Sequence, residues 1–332
     1  MANLFITFLP YFCVLALSAI ALIFSERAGI VNIGVNAIMV MGATFYMIFA
    51  NLFSQGGTVV LNGGFQIILF ALSILGGIIL ALLFGFAVIK LKANQIISGV
   101  ALNILAPAIT ISVLIIFGTA ERLPYTVNEL AAGNAANAEL LNFFSLKVLL
   151  TILIISGAAV LLKYTRWGLR FRSVGENPQA ADVAGINVNR TKWHSVLISG
   201  AIAGLAGGIY IASLSSGNTF KGNVEGLGFL AISIMIVGQW KVVPAIIAAA
   251  VFSILFSLGF HFKTLFPEQT DANVALIKSI PYVVTLLILI VFSKRVVNLL
   301  AKGFPNATIF NKIALQAGGP KAAGEPYDKG KR

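Results

Sequence analysis

The chain has 332 residues, 58% of them hydrophobic and only 10% charged, with 23 Lys and Arg against 11 Asp and Glu. A mean hydropathy of +0.95 exceeds anything a water-soluble domain of this length needs to fill one core, which excludes a soluble fold and indicates a membrane protein. The net charge of +12 does not indicate nucleic-acid binding, because the basic residues are scattered over short segments between apolar runs and form no single stripe.

A helix rises about 1.5 Å per residue, so roughly 20 apolar residues cross a hydrocarbon layer of about 30 Å. Runs of this kind predict spans near 4–24, 30–50, 65–89, 96–118, 146–162, 193–213, 227–238, 242–262 and 274–292. The fold class is all-α: a polytopic membrane helix bundle of about nine (8–10) transmembrane helices. The first run is read as retained, since no Lys or Arg precedes Arg27 as a leader would require. It contains Cys13, the only cysteine, so neither a disulfide nor a cysteine metal cluster forms within the chain. The seventh run, lying between Gly226 and Gln239, is too short for an ordinary crossing. It reads either as a half-helix or as a span that begins earlier.

Cytoplasmic segments collect Lys and Arg. Placing residues 163–192 in the cytoplasm puts 25–29, 90–95, 239–241 and 293–332 on the same side, and together these hold 18 of the 23 basic residues. The asymmetry predicts the N-terminus outside and the C-terminus inside. The chain then divides into a transmembrane domain over 1–292, with a cytoplasmic loop at 164–192, and a basic tail over 293–332. The tail's Gly, Pro and Lys content predicts disorder, with contact to membrane lipid open to it.

No catalytic residue and no metal ligand is predicted. The two histidines, His194 and His261, fall far apart, no serine has a histidine partner, and no G-x-x-x-x-G-K-[ST] phosphate cradle occurs. The chain is therefore read as not an enzyme. No Asp or Glu falls in the middle of a predicted span, and Glu26 and Glu225 sit at span ends. This disfavours a proton-coupled carrier, although an autonomous carrier or channel using neutral ligands remains an alternative.

Asn32 and Asn36 share a face of the second span, and Asn103, followed by Pro107, gives the fourth span a polar site. Gln95, with Asn94 and Ser98, lies at the start of that span. Each of these amides can line a solute path or hydrogen-bond a neighbouring helix, and the residues alone leave both readings open. Gly200, Gly204 and Gly208 recur every four residues and form a close-packing face. Trp167, Trp193 and Trp240 flank the basic loops, as interfacial residues do.

One polar island, "RSVGENPQAADVAGINVNR" at 172–190, interrupts this apolar chain. Asn177 suits an N-cap, Pro178 the first helical position, and Gly185 a C-terminal stop, which predicts a helix of about two turns. So short a helix is marginal in water and needs support. Ala180, Ala181, Ala184 and Gly185 let it sit close in a groove, while Arg172, Glu176 and Asp182 can set its orientation. On these grounds docking and mere linking stand equal.

The sequence "VGENPQAADVAGINVNR" followed by "SGAIAGLAGGIY", with the earlier "ERAGIVNIGVNAIMVMGA" and the later "GLGFLAISIMIVGQWKVVPAIIAA", resembles the membrane permeases of bacterial ABC importers. The resemblance covers residues 20–260 and lies in the branch for nucleosides, simple sugars and branched-chain amino acids. Within that branch it is strongest to nucleoside permeases paired with basic-membrane-protein-type lipoproteins. It implies a permease that forms half of a translocation path in the bacterial cytoplasmic membrane, with nucleosides as cargo and simple sugars or branched-chain amino acids as alternatives. It also implies three partners: a cytoplasmic ABC ATPase that carries ATP and Mg²⁺, a second permease subunit and an external substrate-binding lipoprotein. No cofactor is implied for this chain itself. In this family the island is the coupling helix, so Gly175, Glu176, Asn177, Pro178, Ala180, Ala181, Asp182, Ala184 and Gly185 are its expected ATPase contacts. Relatives commonly read "NIGVEG" where this chain reads "NIGVNA", so Asn36 stands in place of an acid.

Overall fold

The computed structural model describes residues 2–117, 125–128, 130, 145–213, 220, 222–265, 279–287, 290 and 319–327, with side chains described from residue 7 and not at 260–265. The helices are α1 (Ala2–Arg27), α2 (Val35–Phe53), α3 (Phe65–Gly85, continued by a π-helical turn at Phe86–Lys90), α4 (Gln95–Phe117) and α5 (Leu146–Tyr164). They are followed by α6 (Arg166–Glu176), α7 (Pro178–Val183), α8 (Val188–Ser213), α9 (Leu227–Val237) and α10 (Val242–Leu265). Among the described residues there is no strand; Leu61 and Val127 form an isolated parallel bridge.

Seven of these helices are long and apolar enough to cross a membrane: α1 to α5, α8 and α10. The predicted count was about nine, and the difference has two sources. The seventh predicted run forms α9, whose 11 residues rise only about 16 Å, half a hydrocarbon layer. The ninth, 274–292, falls partly outside the described residues, with helix at 279–287.

The bundle is built around α1 and α8. α1 is apolar on every side, and Val14, Leu15, Leu17, Ile20, Leu22 and Ile23 have no exposed surface because α5, α8, α9 and α10 surround them. α8 packs between α1, α2 and α3, and its small residues let those backbones approach. A Cβ added to Gly204 would stand 2.6 Å from the carbonyl oxygen of Ser73. Gly200 faces Ala81 and Gly77, and Gly208 faces Ser73, so all three glycines of the predicted face pack within this chain. Outside this core, α4 and α5 turn Ile97, Ile104, Ile115, Leu149, Ile152 and Leu153 outward, the surface that a lipid environment requires.

Candidate functional site

The chain between α1 and α2, residues 28–34, is not helical, so its backbone groups need partners that a helix would have supplied. Side chains of α4 supply them. Gln95 Oε1 accepts from Val31 N at 2.7 Å. Asn103 Nδ2 donates to Ile33 O at 3.0 Å, and its Oδ1 accepts from Ala37 N at 2.9 Å. Asn36 Oδ1 accepts from Gly228 N at 3.3 Å, which brings the N-terminal ends of α2 and α9 together. Both ends carry backbone N–H groups with no partner in their own helix.

The depth of this joint follows from α9. At its far end the Trp240 indole donates to Glu26 Oε2 at 2.5 Å, and Arg27 Nε donates to Trp240 O at 2.9 Å. The Asn36–Gly228 contact therefore lies about 16 Å from the end of the bundle marked by Arg27 and Trp240. Trp240 faces the carboxylate of Glu26 and so serves as a tie between α1 and the α9–α10 turn, a role its position at a loop edge did not reveal.

Of the four amides considered for a solute path, Gln95 and Asn36 spend their amide oxygens on backbone and Asn103 both its oxygen and its nitrogen. Asn32 differs: its Nδ2 donates to Ser199 Oγ at 3.4 Å, while its buried Oδ1 has no partner, alone in this among the described buried side-chain atoms. It offers a free acceptor beside the joint.

At the end of the bundle the island forms two helices. Thr165 caps α6 by accepting from Gly168 N at 3.0 Å. Phe171 anchors α6, packing at a tilt against Trp167 at 4.6 Å and meeting Phe24 of α1 edge-on at 6.0 Å. Asn177 then caps α7, its Oδ1 accepting from Ala180 N at 3.0 Å, with Pro178 in the first turn. α7 closes with Gly185 N donating to Asp182 O at 2.9 Å and Ile186 N to Ala181 O at 2.9 Å, a pairing that requires the left-handed φ of +81° found at Gly185.

The nine island residues divide by orientation. Ala181 and Gly175 are buried: Ala181 packs with Val174 and Val188, and Gly175 presses on the backbone of Arg27 and Gly29. Asp182 is half-buried; desolvation, and then the nearby Asp182 carboxylate, hold the Tyr327 phenol above its usual pKa. Glu176, Asn177, Ala180, Ala184 and Gly185 face outward, Pro178 partly so, and beside them Val183 is 90% exposed.

The tail, predicted to be disordered, is described only at 319–327, and there it lies against the island. Ala322 N donates to Gly175 O at 3.0 Å and Gly324 N to Gly29 O at 3.3 Å. Lys192 Nζ donates to Glu325 O at 3.4 Å, and Tyr327 packs on the cluster of Val174, Ala181 and Val188. The segment thus bridges α6, α7, α8 and the α1–α2 connection. The tail's Gly, Pro and Lys content had pointed to disorder and gave no sign of this contact.

The family described as "Branched-chain amino acid transport system / permease component" matches residues 4–293. Among similar proteins, the nucleoside ABC transporter permease protein NupC of Lactococcus lactis is 33% identical over 302 residues, covering 89% of this chain and 93% of the relative. The guanosine ABC transporter permease protein NupQ of Bacillus subtilis is 32% identical over 332 residues, covering 98% and 96%. A putative glucose ABC transporter permease of Haloferax volcanii is 27% identical over 269 residues, covering 76% and 75%. No solved structure matches the chain.

Proposed function

The chain belongs to the family of branched-chain amino acid transport system permease components, and from that premise we propose that it carries nucleosides as the membrane subunit of an ATP-driven importer. The nucleoside permeases that match it over nearly their full length support the cargo. The observation that carries the mechanism is α7, a capped helix rooted through Ala181 whose tip presents Val183 to solvent. An exposed valine on a firmly seated surface helix suits a second protein's groove. That protein is the cytoplasmic ATPase. It holds ATP and Mg²⁺, for which this sequence has no phosphate-cradling motif.

In this reading the N-terminus is outside, the C-terminus inside, and α6 and α7 are cytoplasmic. When the ATPase closes, it displaces α7. The displacement passes to α1 through Phe171 on Phe24 and Gly175 on Arg27, and to α8 through Val188. The broken elements at the joint, residues 28–34 and α9, are where such a bundle can switch which side is open. A second permease completes the path, and an external lipoprotein delivers the nucleoside.

Affinity purification from mild detergent tests the assembly. An ATPase is expected to copurify with the intact chain and to be lost when residues 177–184 are deleted. Solute accumulation by vesicles bearing this chain alone would instead establish an autonomous carrier. The similarity to a putative glucose permease favours a sugar as the second reading. Uptake inhibited by ribose or glucose and indifferent to nucleosides would select it.

A further inference from the structure

Four cations gather around a cavity of about 310 Å³ between α5 and α10: Arg27 of α1, Lys163 of α5, Arg172 of α6 and Lys241 of the α9–α10 turn. No carboxylate among the described residues lines it. The two lysines are exposed and the two arginines half-buried. Both guanidinium groups are held in the same way. Arg27 Nε donates to Trp240 O at 2.9 Å and Arg172 Nε to Gly168 O at 3.3 Å, and neither arginine joins an ion pair among the described residues. A guanidinium has five N–H donors, so each keeps its terminal fork for another group. The carboxylate whose charge bears on Arg27 is Glu176, which is exposed and lines a separate cavity with Lys321 and Tyr327. Like charges gathered without a counter-ion repel, and the planar forks of two arginines match the oxygens of a phosphate.

Three helices place this cavity at the level of lipid headgroups. The membrane spans of α1 and α5 end at Arg27 and Tyr164, and that of α10 begins at Val242. The cations therefore stand at the edge of the hydrocarbon layer, with Trp240 beside them where interfacial tryptophans sit. The rest of the lining is apolar: Ala159 and Leu162 on α5, and Val242, Val243 and Pro244 on α10. Ile247, one turn beyond Val243 on the same face of α10, is exposed as Val243 is. α5 and α10 each pack on α1 but touch one another at few points, which leaves a groove between them that leads from the cations toward the membrane interior. A free phosphate would satisfy the arginines and leave this apolar wall uncovered. A molecule with a phosphate at one end and a hydrocarbon chain at the other matches both parts.

We propose that the cavity holds the headgroup of an anionic glycerophospholipid, its phosphodiester between Arg27 and Arg172, the two lysines at the rim, and an acyl chain along Val243 and Ile247. Basic pockets between membrane helices on the cytoplasmic side bind headgroups of this kind, and this end of the bundle is cytoplasmic in the orientation proposed above. The lipid joins α1, α5, α6 and the α9–α10 turn through one group. Because α6 leads directly into α7, the lipid also helps to fix the base of the helix that meets the ATPase. The site does not depend on which solute the transporter carries.

The test is native mass spectrometry of the full chain after exchange into detergent micelles that contain phosphatidylglycerol and phosphatidylcholine in equal amounts. The protein is expected to retain phosphatidylglycerol in preference to phosphatidylcholine. Arg172→Gln combined with Lys163→Gln should lower the retained phosphatidylglycerol about tenfold. Arg166→Gln combined with Arg170→Gln removes the same charge from exposed positions of α6 outside the cavity and should leave retention unchanged. Equal losses from the two pairs would mean that the basic end of the bundle attracts lipid without a site, and would overturn the proposal. The wild-type chain gives a second reading that needs no variant: phosphatidylglycerol should raise its unfolding temperature, whereas phosphatidylcholine or inorganic phosphate should not. A rise produced equally by inorganic phosphate would identify a soluble anion as the occupant and overturn the lipid. Loss of the copurifying ATPase from Arg172→Gln with Lys163→Gln, with phosphatidylglycerol still retained, would assign the cavity to that partner and overturn it as well.

Discussion

The Ser73 hydroxyl lies 2.7 Å from the carbonyl oxygen of Gly204 and 2.8 Å from that of Gly42, so one side chain of α3 is shared between the backbones of α8 and α2. Gly204 permits this because no side chain separates the three helices. Replacing Gly204 by Leu puts a Cβ against backbone atoms of α3 that have no freedom to move aside. Overpacking of this kind costs about 1–3 kcal/mol or more. Gly204→Leu should lower the unfolding temperature in detergent and the amount of protein in the membrane. Ser73→Ala, which removes only the hydrogen bonds, should cost about 1 kcal/mol. Equal effects from the two substitutions would mean that close approach is not what Gly204 provides.

Two alternative substitutions in α7 separate rooting from docking. Ala181 is 4% exposed and Val183 is 90% exposed. Asp at 183 adds a charge to the outward tip and should leave the permease folded while preventing the ATPase from copurifying. Asp at 181 forces a charge into the small cluster with Val174 and Val188 and should release α7 from its own chain. Protease susceptibility of residues 174–188 distinguishes them, being raised by Ala181→Asp and unchanged by Val183→Asp. Normal ATP-dependent uptake by Val183→Asp would count against α7 as the ATPase contact.

What could be read beforehand was local or gross. Hydropathy revealed long membrane helices, and Asn177, Pro178 and Gly185 marked the ends of α7, because caps depend on a few neighbouring residues. The joint was not readable. Asn103 and Gln95 are polar residues in an apolar run, and only the folded chain shows that they satisfy the backbone of residues 28–34. Likewise Ser73 is an unremarkable serine in sequence, since its two acceptors lie on other helices.

The Trp240 tie predicts a specific sensitivity at the end of α1. Glu26 is 7% exposed, and its carboxylate accepts from the Trp240 indole. Trp240→Phe preserves much of the ring but removes the N–H, leaving the carboxyl without that donor, at roughly 1–3 kcal/mol. The backbone acceptor for Arg27 survives the change. Trp240→Phe should therefore lower the detergent unfolding temperature, and adding Glu26→Gln should recover part of the loss, since a neutral amide is less costly to leave unpaired. No recovery in the double variant would show that packing of the indole, and not the hydrogen bond, makes the tie.

The segment at 319–327 makes the last prediction. It joins Gly175 on α6 to Gly29 in the α1–α2 connection through backbone bonds from Ala322 and Gly324, and Tyr327 covers the cluster beneath α7. A helix as short as α7 has little stability of its own, so removing part of its support should let it open locally. Truncation before Gly319 should speed amide hydrogen exchange at residues 174–188 while exchange in α1 and α8 stays slow. Ala322→Pro removes the N–H that bonds Gly175 and should reproduce part of that loosening without shortening the chain. If exchange at 174–188 is the same in truncated and intact protein, the segment rests on the island without supporting it.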